Sequence, residues 1–456
     1  MDGYMQGLSD RFGSRMIATE AALAQYALSE GHHCHAPPSA VVQPVTIEEV
    51  QYLVSQAAQT ATPIVAYGAG TSLEGNAASV EAGSLCIDFS RMNRVVDVSA
   101  EDLLCVVEPG VTREQLNSEM RATGVFFPVD PGANASLGGM IATRASGTTT
   151  VRYGSMRDNV LGLKVVTADG SLITTGTRAR KSASGYDLTH LFTGSEGTLG
   201  LIVEATLRLH GQPDKILAAT WDFESITGAV DTVIATIQSA VPIARMELLD
   251  EAAIRACNHQ SGLGLVEKPM LFLEFHGSEA SVADQLELVR FIGEGHGGGT
   301  LQFAIAAEER NALWKARHQA LWAAKAMVPG AVAWISDVCV PISHLGDAIT
   351  RAKAAIDASG LSAPIIGHVG DGNFHVFFIL LPGDTASWEK ARAINEAMID
   401  HALSVGGTCT GEHGIGIGKR QALLREHGAD SVMTMRRIKD ALDPAGLFNP
   451  GKIFLD

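Results

Sequence analysis

Residues 128–147 read PVDPGANASLGGMIATRASG, a run built mostly from Gly, Ala, Ser, Thr and Pro. Such a stretch supplies little hydrophobic core and suits a backbone that lies against a large flat or elongated ligand. Upstream, YGAGTSLEGN (67–76) follows a short apolar strand. The dinucleotide fingerprint needs glycine at 73, where Leu73 stands, and the Gly-Lys phosphate loop needs lysine after Gly75, where Asn76 stands, so both common motifs fail. Gly68 and Gly70 still let backbone amides converge, and Thr71 and Ser72 add hydroxyl donors. An anion-cradling loop and a plain strand-to-helix turn both fit this piece taken alone. Downstream, GSEGTLGLIVEATLRL (194–209) again spaces glycines closely ahead of a strand.

The rest of the chain bounds the class. At 456 residues, two or three domains are expected. Hydrophobic residues at 46% and charged residues at 18% exclude extended disorder. A formal net charge of −16 argues against a nucleic-acid partner, which needs concentrated Lys and Arg. Six cysteines are scattered without a C-x-x-C pair, the pattern of reduced thiols in a cytoplasmic compartment. The opening MDGYMQGLSDRFG lacks the basic start and apolar run of a signal peptide, and no stretch approaches the ~20 apolar residues of a membrane span. Peripheral contact with an inner membrane stays open.

Residues 1–37 are read as a helical segment, with a helix over SRMIATEAALAQYALSEG (14–31). The cluster His32, His33, Cys34 and His35 tempts as a metal site, but adjacent side chains diverge and two prolines follow at once. From residue 38, strand and helix alternate: AVVQPV, a helix opened by the Thr46-x-x-Glu49 capping box, then PIVAYG. VLGLKVVTADGSLITTG is a hairpin turning at Asp169-Gly170. After GQPD (211–214) the alternation resumes as an α+β domain with helices covering one sheet.

The ordered motifs GAGTSLEG, VVEPGV, PVDPGANASLGGMIATRASG, VRYGSMRDNV and KSASGYDLTHLFTGSEGTLG resemble the FAD-binding half of the vanillyl-alcohol-oxidase flavoproteins. GHVGDGNFH, GTCTGEHGIGIGKR and LDPAGLFNPGK resemble their D-2-hydroxy-acid dehydrogenase branch, which includes FAD-dependent D-lactate dehydrogenases of the cytochrome-linked type. The resemblance implies an α+β, two-domain flavoprotein: a PCMH-type FAD-binding domain over 38–213, a substrate (cap) domain with a metal site over 214–440, and a tail, 441–456, returning to the FAD domain. It places Gly68, Gly70, Thr71 and Ser72 at the pyrophosphate. Pro131, Gly132, Ser136, Gly139, Thr143, Ser146 and Gly147 would run along FAD; Glu196, Gly200 and Ile202 would close its adenine side; Asn449 would return towards the flavin. FAD is expected to be non-covalent, since no histidine stands within YGAGTS.

In GHVGDGNFH (367–375), His368 and His375 are seven apart, which in one continuous strand puts them on opposite faces. The intervening VGDGN permits a turn, so a metal pair and two satisfied histidines both fit the spacing. The nearby GEHG (411–414) adds Glu412 and His413, and two histidines with a carboxylate leave a divalent ion open positions. The resemblance assigns His368, His375 and Glu412 as ligands of zinc or manganese and His413 as the base. It also gives Arg317 as the substrate-carboxylate clamp and Asn373 as a substrate contact. Trp322 and Trp334 are large enough to wall a small pocket. The implied reaction takes the hydroxyl proton of a D-2-hydroxy acid and passes its C2 hydride to flavin N5, the electrons going on to a cytochrome, a quinone or an electron-transfer flavoprotein. Hydroxyglutarate-specific relatives carry a lysine before the aspartate of AVAWISDVCVP; here Ile335 and Ser336 precede Asp337, which favours D-lactate over D-2-hydroxyglutarate, with a glycolate oxidase flavin subunit as a further alternative. A metal-dependent hydrolase would leave the small-residue run unexplained, and a flavin sensor would leave His413 and Arg317 unused. A homodimer is left open.

Overall fold

The computed structural model describes residues 2–33, 36–80 and 83–455, and Cys34 and His35 of the histidine cluster fall outside that set. The chain packs as two units: 1–146 with 154–212 and 412–456, and 147–153 with 213–411. Residues 412–440, read from the sequence as part of the second domain, therefore pack with the first unit.

The first unit holds two principal sheets. One orders Met16–Ile17, Ala40–Val42, Leu85–Asp88 and Ile64–Tyr67, the last three parallel. Continuous apolar runs such as AVV (40–42) suit parallel strands covered on both faces. The crossover helix Ile47–Thr60 buries Val50, Leu53, Val54 and Ala57, the i, i+3, i+4, i+7 stripe of an amphipathic helix. Its cap differs in part from the expected box. Thr46 accepts from the Glu49 amide, but the Glu49 carboxylate turns to the Val45 amide at 2.8 Å and to Arg15. The second sheet is antiparallel in the order Val95–Ser99, Leu104–Val107, Leu201–Arg208, Val160–Val166 and Leu172–Gly176, and contains the Asp169-Gly170 hairpin. Phe127, Met140, Ile141, Leu163 and Phe192 fill its core.

The N-terminal helix is Asp2–Phe12, not 14–31. Over 14–31 the chain makes the strand Met16–Ile17, paired with Val41–Val42, and then only single helical turns. Pairing of Met16 and Ile17 at the edge of a sheet takes the start of this stretch out of a helix, and most of the alanines fall in the short turns that follow.

The second unit is built on an antiparallel sheet in the order Gly298–Ala304, Lys215–Phe223, Met270–Gly277, Arg245–Leu249, Ile365–His368, Asn373–Leu380 and Val332–Ile335, with Val338–Cys339 also on Asn373–Leu380. Helices Ile226–Gln238 and Glu279–Gly295 pack on it.

Candidate active site

GHVGDGNFH is not one strand. Ile365–His368 and Asn373–Leu380 form a hairpin closed by a 3-10 turn over Val369–Asp371. Gly372, at φ +86°, ends the turn where a Cβ would overlap the Val340 carbonyl. The hairpin resolves the parity problem. Ile366 pairs with His375, and residues 366 and 368 share a face, so both histidines stand on it. Their ring centroids are 5.4 Å apart at 84°.

The same face carries an acid on either side. One step beyond the Leu248–Gly367 pair, Glu247 faces His368; one step beyond Val338–Phe374, Asp337 faces His375. His368 Nδ1 lies 2.8 Å from Glu247 Oε1. His375 Nδ1 lies 3.0 Å from the Ser336 carbonyl and 3.7 Å from Asp337 Oδ1. A carbonyl only accepts, so the His375 ring donates through Nδ1, and the Glu247 carboxylate takes the Nδ1–H of His368; Nε2 is the second nitrogen of each ring. This donor set fits a divalent cation, since each ring has its outer nitrogen engaged and Nε2 as the remaining ligand atom.

Arg317 is buried on the helix Ala307–His318, where Nε and Nη2 both reach Glu247 Oε2, at 2.9 and 2.6 Å. Burial acts to raise the Glu247 pKa, but the charges and hydrogen bonds of His368 and Arg317 outweigh it and hold the carboxyl below its ordinary value. Asn373 is 3% exposed; its Nδ2 donates to Asp337 Oδ1 and the Val338 carbonyl, both at 2.8 Å. Its Oδ1 is buried with no partner among the described residues, an acceptor in want of a donor. Thr410 Oγ1 donates to the other Asp337 oxygen at 2.7 Å. Trp322 is 46% exposed with the Lys325 ammonium 5.4 Å from its ring centroid, while Trp334 packs on Phe378 and Trp388.

Glu412 and His413 belong to the first unit. There the Ser146 hydroxyl donates to Glu412 Oε2 at 2.9 Å, and Asn76 Nδ2 donates to the His413 carbonyl at 3.3 Å. Glu196, in a left-handed conformation at φ +52°, does not lie idle for a cofactor. Its carboxylate accepts from the Ile415 and Gly416 amides and from Asn76 Nδ2, at 2.7, 2.8 and 2.7 Å. Burial raises its pKa against those three bonds. Asn449 clasps the same loop, donating to the Asn76 and Glu196 carbonyls.

The glycine loop and the small-residue run meet. At Gly68 a Cβ would overlap Ser136 Oγ, the residue that opens the helix Leu137–Thr143 and makes no capping bond of its own. Gly70 and Gly132 both have positive φ. Gly70 and Ser72 line a small surface cleft with Tyr26, Tyr67 and Ala78. The Ser195 hydroxyl and Asn76 Oδ1 are buried without partners among the described residues. Close backbone approach plus orphaned polar atoms fits an extended phosphate-bearing cofactor. Thr143 instead bonds back to the Gly139 carbonyl, and Gly147 begins the short segment packed with the second unit. Gly200 and Ile202 are explained by packing: a Cβ at 200 would overlap Val165, and Ile202 sits in the core beside it. Pro131 and Thr71 lie in the loops themselves.

The family description "FAD binding domain" matches residues 38–176, and "FAD linked oxidases, C-terminal domain" matches 212–453. The chain belongs to the FAD-linked oxidase family. Among curated relatives of this FAD-linked oxidase, "Probable D-lactate dehydrogenase, mitochondrial" of Danio rerio is 48% identical, over 99% of this chain and 95% of the relative. "D-lactate dehydrogenase (cytochrome), mitochondrial" of Arabidopsis thaliana is 47% identical, over 91% of this chain and 73% of the relative. A solved 4-ethylphenol oxidase from Gulosibacter chungangensis shares the fold, with a TM-score of 0.81 at 19% identity over 99% of this chain and 97% of that one. Both curated relatives carry mitochondrial names, where composition pointed to the cytoplasm. Among the described residues no helix is long and apolar enough to cross a membrane.

Two acids in this FAD-linked oxidase escaped the sequence reading. Glu247 is the one acid in the strand Arg245–Leu249. Glu74, in GTSLEGN, is buried with His33 Nε2 and Lys419 Nζ each 3.4 Å away. Burial raises its pKa, but Lys419, His33 and His413 together hold it below the ordinary value. An acid inside an otherwise apolar or glycine-rich element was the available signal, because an unpaired buried carboxylate is too costly to keep.

Proposed function

We propose that this FAD-linked oxidase is a divalent-metal-dependent dehydrogenase of D-2-hydroxy acids, with D-lactate as substrate and pyruvate as product. The observation that carries the reading is the His368–His375 pair, each ring tied through Nδ1 and presenting Nε2, beside a buried arginine. The names of the curated relatives support D-lactate. Ile335 and Ser336 offer no cation for a second carboxylate, and Asp337 is engaged by Asn373 and Thr410, which supports a monocarboxylate.

FAD, when bound, supplies the acceptor for the C2 hydride, and a divalent cation supplies the Lewis acid that lowers the hydroxyl pKa. Gly68, Gly70, Thr71, Ser72, Pro131, Gly132, Ser136 and Ser146 are the proposed cofactor contacts. His368 and His375 hold the cation, with Glu412 as the third ligand that the family resemblance implies. His413 takes the hydroxyl proton, for which a neutral imidazole is suited near neutral pH. Arg317 orients the substrate carboxylate with the Nη1 edge that Glu247 leaves out of its pairing, and the orphaned Asn373 Oδ1 accepts from a substrate or water O–H. Electrons leave to a cytochrome, in line with the name of the Arabidopsis relative.

Anaerobic mixing of the flavin-loaded protein with D-lactate, L-lactate, glycolate and D-2-hydroxyglutarate tests this. D-lactate should bleach the long-wavelength flavin band fastest, and chelation should abolish the bleaching. Reduction by L-lactate alone overturns the stereochemistry, and reduction that survives chelation removes the metal.

A further inference from the structure

We infer that Glu247 is a positioning residue that couples the proposed metal ligand to the substrate clamp, one carboxylate oxygen serving each. The inference rests on reading His368 as a ligand and goes beyond it. Glu247 Oε1 takes His368 Nδ1, while Nε and Nη2 of Arg317 share Oε2. Register places the acid there: Glu247 stands opposite His368 across the Arg245–Leu249 and Ile365–His368 strands, so it reaches the ring without leaving the sheet face. It is 1% exposed, so neither bond has water as a ready substitute.

The two histidines are therefore not equivalent. His375 donates to a neutral carbonyl, with the Asp337 carboxylate farther off at 3.7 Å, whereas His368 donates directly to a carboxylate, which increases the electron density at its Nε2 and strengthens it as a ligand. Arg317 in turn is a cation already paired, so its fork is aimed before substrate arrives. A nearby contact supplies the contrast. The same helix, Ala307–His318, is pinned to the same sheet by Trp314 Nε1 donating to Glu274 Oε2 at 2.6 Å, and that pin does not touch His368.

The test compares Glu247→Gln with Trp314→Phe in the FAD-loaded protein, titrating Mn²⁺ and Zn²⁺ calorimetrically and measuring kcat and KM for D-lactate at saturating metal. E247Q should weaken metal binding about 10–100-fold, the range for loss of a ligand's supporting partner, and should raise KM as well. W314F loosens the helix but should leave metal affinity within about twofold. E247Q binding metal like the wild type, or W314F losing as much as E247Q, overturns the inference. Wild-type protein that binds neither cation sinks the metal reading and the inference with it. Should E247Q not fold, Glu247→Asp keeps the charge but shortens the reach, and the same criteria apply. Failure of both to fold makes Glu247 a folding residue and ends the proposal.

Discussion

Glu196 in the first unit and Glu247 in the second are both buried carboxylates, and burial pushes both pKa values up, yet the net shifts are opposite. Around Glu196 stand neutral donors, the Ile415 and Gly416 amides and Asn76, with Glu74 adding like charge, and its pKa stays raised. Around Glu247 stand His368 and Arg317, and its pKa falls. Desolvation is common to both, so the partners decide. Glu196 is used to place backbone, the stretch just after His413; Glu247 places two side chains, the His368 ring and the Arg317 guanidinium.

The largest expected effect concerns what the backbone held by Glu196 carries. His413→Ala should slow flavin reduction by D-lactate about 10²–10⁴-fold, the usual worth of a general base, while FAD content is unchanged. Stopped-flow absorbance reads both, and FAD loss would make His413 structural. Next, Glu196→Gln sets an amide NH₂ against N–H donors that a carboxylate oxygen now accepts, leaving at least one of them unmet. It should cost about 1–3 kcal/mol in chemical denaturation, and a variant as stable as the wild type would mean the three bonds do not hold that loop.

The smallest effect uses a third buried acid. Asp250 caps the helix Glu251–Ser261 through the Ala253 amide, and burial pushes its pKa from 3.8 up to about 7. Between those values the folded protein keeps a proton that the unfolded chain has shed, so this contribution to stability falls as pH rises from about 4 to 7. Asn caps as well as Asp without ionising. Asp250→Asn should match the wild type near pH 4 and melt roughly 2–4 °C higher at pH 8. A variant that melts lower at pH 8 would mean the ionised carboxylate is stabilised as Glu247 is.

Much of this was legible in advance. The small-residue run and the glycine loop signalled a site made of backbone, because excluding side chains leaves a mark in composition. Thr46 and Asp169-Gly170 marked a cap and a turn, since both act over three or four residues. The family resemblance points to Glu196 as a cofactor contact, and only the structure shows its carboxylate spent on the 415–416 amides, some 220 residues along the chain.

By itself the sequence determined the α+β class and an FAD-binding domain, and it named the candidates His368, His375, Arg317 and His413, because these rest on local pattern and ordered motifs. Tertiary structure alone decided that a hairpin returns His375 to the face of His368, that Glu247 stands across from it, and that residues 412–456 fold with the first unit. The reason is register. Which residues face one another across strands far apart in sequence is set by the packing of the whole sheet, and no short stretch encodes it.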